Sequence, residues 1–318
     1  MYRFHPRDLW KGWVVLVWLF WTGARVVVAD PFVPGLGTKV SEVGDDFEDE
    51  RWEYYFNNPK SSQDIDRAER YPTGEAANGR WYEGLKRGHP DIIKRVPTPA
   101  NGLPGSRGSL LLQSLNTGVP GAPRYRLGQD DFIADVNYRL GGVIPVSRAP
   151  SVVVRVFLPP VDRWEDRTGT HFGLRASLRA AGAGSRDGST SSANRPVPEV
   201  YWVGMFIDFE SKGNGRPHDY AYFRLRADYW GNDFRSRQIT TTGWWTLGLS
   251  FSPDGMVHFY ARPGVEALTE ADRLTSEYPY GLRANSLRTF FFNVCSGDDG
   301  RSWSTPWVLD DPTVYVLR

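Results

Sequence analysis

The sequence predicts an all-β protein, a sandwich of two antiparallel sheets with one or two short helices, and three observations carry that expectation. Aromatic residues make up 14% of the 318 residues, with 13 Trp and 15 Tyr, alongside 33 Gly and 23 Pro. Aromatic and β-branched side chains fit pleated surfaces, and Gly and Pro punctuate short strands. Runs of period-two alternation follow one another without helices between them, which favours a sandwich over a parallel sheet. Helical periodicity is confined to two short stretches, 61–70 (SSQDIDRAER) and 266–278 (EALTEADRLTSEY).

The predicted strands run in order. SVVVRVFL (151–158), HFGLRASLR (171–179), EVYWVGMFIDFE (199–210) and DYAYFRLRAD (219–228) form one series. GWWTLGLSF (243–251), GMVHFYARPG (255–264) and LRTFFFNVC (287–295) complete it, with SPDG as a hairpin turn after Phe251. VPTPANGLPGSRG (96–108) reads as a long loop, and AAGAGSRDGSTSSANRPVP (180–198) as a low-complexity loop.

The first residues have a different character. Arg3, Arg7 and Lys11 precede the uncharged apolar run 13–24, and RVVVAD follows. This three-part layout predicts a secretory signal over 1–29, cut before Asp30, with a signal anchor as the alternative. The remaining 30–318 is expected to be a single β-sandwich domain, exported to the periplasm, the cell envelope or the medium. The formal charge of +1 excludes nucleic-acid binding by bulk charge. Cys295 is the only cysteine, so no internal disulfide forms, and its place among large apolar residues predicts a buried, inert thiol.

DDFEDERW (45–52) opens the folded part, WVLDDPTVYVLR (307–318) closes it, and WWTLGLSFSPDGMVHFYARPG lies shortly before the end. That arrangement resembles the concanavalin A-like lectin/glucanase and laminin-G type of jelly roll. The resemblance implies that the first and last strands pair and that a W-x-L hairpin precedes the final strand. The whole chain is also similar to a group of exported bacterial proteins. Terminal pairing would bring Asp46, Glu48, Asp310 and Asp311 close, a hard-oxygen set suited to a structural Ca²⁺.

Alternation sorts the strand faces. Around 218–227, His218, Tyr220, Tyr222, Arg224 and Arg226 oppose an apolar set. His171 and Arg175 do so on 171–179, and His258 and Tyr260 on 256–261. If these strands share a sheet, its outer surface is a platform of rings and guanidinium groups, to which Trp202 and Trp244 belong. Flat rings stack on sugars, and Arg forks bind carboxylate or sulfate. The expected function is therefore non-catalytic recognition of a polysaccharide or envelope glycan, an anionic one included, with the membrane contacted only through 1–29 if uncleaved. Two other readings are a jelly-roll polysaccharide lyase or glycosidase and a cell-envelope protein that binds another protein.

The glucanases of that superfamily carry a strand close to E-[IL]-D-x-x-E. Here Phe206 stands where the first Glu would sit, before Asp208 and Glu210, which argues against retaining hydrolysis. SGDDGRSW (296–303) fits the Asp-box pattern of sialidase-type propellers. One box without a repeat is a turn device and not a propeller, so it predicts a tight loop into the last strand, pinned by Trp303.

Overall fold

The computed structural model describes residues 32–117, 128–180 and 199–317. The candidate signal 1–29 and the low-complexity stretch beyond residue 180 lie outside them. Along the chain the first strands are β1 (Thr38–Gly44), β2 (Tyr54–Tyr55), β3 (Glu75–Ala76), β4 (Tyr82–Glu83), β5 (Ile92–Pro97), β6 (Gly108–Gln113), β7 (Gly128–Ala134) and β8 (Ile144–Pro145). The long strands follow: β9 (Ser151–Leu158), β10 (Gly169–Ala180), β11 (Glu199–Glu210), β12 (Tyr220–Arg226), β13 (Asp233–Ile239) and β14 (Gly243–Phe251). The chain ends with β15 (Val257–Pro263), β16 (Arg273–Glu277), β17 (Ala284–Ser296) and β18 (Trp307–Val316).

They form a jelly-roll β-sandwich. One sheet has the order β16-β15-β14-β9-β18-β6-β5, with β1 also paired to β18; the other runs β13-β12-β11-β10-β17-β7-β4-β3-β2, with β8 also on β17. The expected pairing of first and last strands is present, Lys39 opposite Tyr315. So is the hairpin of β14 and β15, closed by the Gly255 amide on the Ser252 carbonyl.

The core lies between the sheets, where period-two alternation sends every second side chain inward. Val154, Val156, Trp245, Leu247 and Phe259 come from one sheet, and Phe172, Leu174, Ile207, Phe223 and Phe292 from the other. Trp81 stacks on Phe132 at 4.6 Å and Trp307 tilts against Phe172 at 5.1 Å, so rings span the gap between layers. Cys295 is buried, and burial pushes its thiol up to about 12, as an inert cysteine requires.

Neither expected helix forms. In 61–70, Ser62 bridges Ala68 and Arg67 takes φ +61°, which bends the segment out of helical geometry. In 266–278 a single 3₁₀ turn, Glu270–Asp272, gives way to β16, which pairs with β15. The one α-helix among the described residues is α1, Val136–Leu140, capped by the Asp135 side chain and ended by Gly141 in the left-handed conformation. The SGDDGRSW loop also differs from expectation. Asp299 accepts from the Arg301 and Ser302 amides, whereas Trp303 is 41% exposed and pins nothing. Among the described residues no helix is long and apolar enough to cross a membrane.

Candidate functional site

The outer face of the β10–β12 sheet carries the candidate site, and strand register places its side chains in rows. One row runs Arg226, Gly204, Arg175, Phe291, Ile133 and Tyr82 across β12, β11, β10, β17, β7 and β4. The next runs Arg224, Phe206, Gly173, Asn293 and Asp131. The two glycines leave room that one ring occupies: a Cβ on Gly173 would stand 2.8 Å from the Phe206 ring. Three guanidinium carbons surround that ring, Arg224 at 4.7 Å and Arg175 and Arg226 each at 5.5 Å.

Counter-ions are shared unequally among the three. Arg224 donates to Asp208 (2.8 Å), Asp233 and Thr170. Arg226 forks onto Asp233 at 2.7 and 3.1 Å. Arg175 is 5% exposed, its Nε has no acceptor, and no hydrogen bond or ion pair joins it to a described residue. Burial, reinforced by the Arg226 cation, brings its guanidinium down to about 10. Its plane is flanked by Phe206 and by Phe291 at 5.3 Å.

A tight loop, Gly84 to Gly88, crosses this face. The Gly88 and Arg87 amides both reach the Gly84 carbonyl, at 2.6 and 3.1 Å, and Gly88 takes φ +79°. The loop rests directly on β7: a Cβ on Gly84 would lie 2.6 Å from that of Asp131. Arg87 pairs with Asp64 (3.2 Å) and Asp131 (3.5 Å), while Lys86 reaches across to within 5.3 Å of the Trp202 ring. This strap divides a groove into two lobes of about 740 and 880 Å³. The first is aromatic, with Tyr71, Tyr82, Tyr138, Trp202 and Tyr280; the second holds Arg67, Phe206, Arg224 and Cys295. Lys86, Arg87, Arg175 and Arg226 line both.

Of the expected ligand-binding residues, Arg175, Trp202, Tyr222, Arg224 and Arg226 share this outer face. Tyr222 is covered by Arg235, whose guanidinium carbon is 3.7 Å from the ring centre. Tyr220 and His218 continue past Tyr222 at the start of β12, with ring separations of 6.3 and 6.1 Å, and stand outside the lobes.

Four expected members are elsewhere. A bulge between Thr170 and Phe172 turns His171 inward, where it is wholly buried between Thr305 Oγ1 and the Arg167 carbonyl, each 2.8 Å away. Burial, with the Arg167 cation nearby, lowers its imidazole to about 3. Trp244, His258 and Tyr260 belong to the other sheet because β14 pairs with β9 and β15 with β14. Trp244 packs on Phe157 and donates to the Ala100 carbonyl at 3.2 Å. His258 is stacked under Phe32 and held by Ser276 and Ser252, and Tyr260 is sealed beneath Val33 and Leu268.

The strap, Phe291 and the tyrosines at 71, 82, 138 and 280 escaped the sequence reading, and Phe206 entered it only as the place of an absent glutamate. Gly84 and Gly88 are a turn signal that could have been used, but nothing local says what a turn crosses.

The candidate calcium ligands are dispersed among other partners. Asp46 accepts from the Glu48 amide, Glu48 from the Arg107 and Gly108 amides at 2.8 and 3.1 Å, and Asp311 pairs with Lys39 and Arg155. Asp310 is buried with Oδ2 unpartnered; burial, with Asp311 and Glu48 nearby, lifts its carboxyl to about 6. Among the described residues no three His, Cys, Asp or Glu side chains converge as a metal site.

The fold and this face define a jelly-roll sandwich with an open, arginine- and tyrosine-rich groove. No protein-family model and no curated protein matches the chain. Solved structures similar to it include the binding domain of Paraclostridial Mosquitocidal Protein 1, at 11% identity and TM-score 0.37 over 74% of this chain. The match spans 46% of that chain. An endo-β-1,4-glucuronan lyase of Trichoderma reesei matches at 11% identity and TM-score 0.32, over 84% of this chain and 94% of that one. An alginate lyase of Pseudomonas aeruginosa matches at 11% and 0.35, over 72% and 84%. None of the three assigns a function to this chain.

Proposed function

We propose that the protein binds a polysaccharide along the strapped groove. The observation that carries this reading is the set of rings left in water there. Tyr71 and Tyr138 are each 70% exposed and Trp202 is 40% exposed, all three lining one lobe. Trp202 stands on β11, Tyr138 on α1 and Tyr71 on a loop; such rings stack on the C–H faces of sugars, and the second lobe gives the chain room to continue.

The alternating pair on β11 does not serve as a hydrolytic pair in this groove. Asp208 is bound by Arg224, and Glu210 by Arg216 and Arg235 at 3.2 and 3.0 Å, and neither carboxylate lines a lobe of the groove. A β-eliminating lyase is the second reading, because cations and tyrosines share one face. Among the described residues no histidine lines either lobe, so proton transfer would fall to a tyrosine.

Affinity electrophoresis of the full chain through a panel of embedded polysaccharides tests the proposal, with near-ultraviolet absorbance of unsaturated product read from the same mixtures. Retention by at least one polysaccharide, weakened about tenfold in Trp202→Ala, is the expected outcome. Product formation moves the assignment to a lyase. No retention on any member would overturn the groove as a glycan site.

A further inference from the structure

Within that reading, Arg175 has a more specific role. An arginine 5% exposed whose Nε finds no acceptor is costly to leave so, because the nearby Asp131 carboxylate offsets only part of its desolvation. Its neighbours do not share the problem, since Arg224 and Arg226 have Asp208 and Asp233. They add positive field without supplying a counter-ion. Arg175 also lines both lobes beneath the strap, so a chain passing from one lobe to the other crosses it.

We propose that Arg175 is the anchor for one oxyanion, a carboxylate or a sulfate, borne by an internal residue of the bound polysaccharide. The proposal rests on the groove being the glycan site. A planar fork wedged between Phe206 and Phe291 loses little freedom on pairing and matches two oxygens of either group. A lysine there would supply charge but neither the fork nor the ring contacts.

The test compares four probes on the unaltered protein by calorimetry: a carboxylated uronan, the same uronan methyl-esterified, a sulfated glucan and the unmodified glucan. A charged hydrogen-bonded pair predicts that esterification weakens binding by about 30-fold, with a similar loss in Arg175→Gln and partial recovery in Arg175→Lys. Preference between uronan and sulfated glucan, each over its neutral counterpart, identifies the oxyanion. Equal affinity for free and esterified uronan, together with no preference for the sulfated glucan, would overturn the anchor while leaving the groove reading intact. Failure of all four to bind removes the groove reading itself. The esterification comparison needs no substitution, so it stands even if Arg175→Gln fails to fold. A single uronate residue binding as tightly as the polymer would contradict recognition of an internal residue.

Discussion

The outer faces of the two sheets begin from the same sequence pattern and end differently. On β12, Tyr220, Tyr222, Arg224 and Arg226 alternate with apolar residues; on β15, His258 and Tyr260 do the same. The first set borders a groove. The second is roofed by residues before β1 and after β15: Phe32 on His258, Val33 and Leu268 on Tyr260, and the Gly35 amide on Ser151 Oγ. Each face also buries charge-bearing groups without a full complement of partners, Asp310 on one and Arg175 and Asp208 on the other. Alternation therefore decides which side of a strand a residue occupies, and distant segments decide whether that side meets water.

Substitutions can sharpen this contrast. The largest effect is expected from Tyr260→Ala, a fully buried ring, which should cost about 3–5 kcal/mol in urea unfolding while polysaccharide retention by the folded fraction is unchanged. Altered retention would mean that the two faces communicate.

Asp310→Asn comes next, and its sign follows from the raised carboxyl. Below the ordinary value of 3.8 the group is protonated whether folded or not, so it is neutral to stability. Between there and about 6 the unfolded chain ionises first, and stability falls as pH rises. The substitution should thus add up to about 3 kcal/mol at pH 8 and nothing at pH 3.5, as measured by denaturant midpoints. An equal gain at both pH values would refute the ionisation account.

The smallest effect concerns the strap. A double-mutant cycle of Lys86→Ala and Trp202→Ala should give a coupling of about 0.5–1 kcal/mol in stability, the value of an exposed cation over a ring. Zero coupling would mean that the strap does not grip the far bank of the groove.

These results explain which parts were legible from residues alone. Strands were, because β9, β11 and β14 alternate over eight or more residues and tertiary packing reinforces that period. Their allocation to sheets was not, since the β14–β9 and β10–β17 pairings join segments far apart in sequence. That is why Trp244, His258 and Tyr260 were grouped with residues on the opposite layer. His171 was misplaced by a single bulge, which shifts alternation by one position. Phe206 was read as a missing glutamate, and its positive meaning as a hub for three arginines needed the register of β10, β11 and β12. Helix α1, five residues long, is too short for periodicity to reveal.

The position of β18 has a consequence for how the protein is made. This strand lies inside its sheet, bonded to β9 along one edge and to β6 and then β1 along the other. Until residues 307–316 are available, β16-β15-β14-β9 and β6-β5 are separate half-sheets with no hydrogen-bonded seam between them. A nascent chain therefore cannot complete this layer as it emerges from the ribosome. Closure of this sheet waits for β18, and the non-local pairings that join its two halves are gained together.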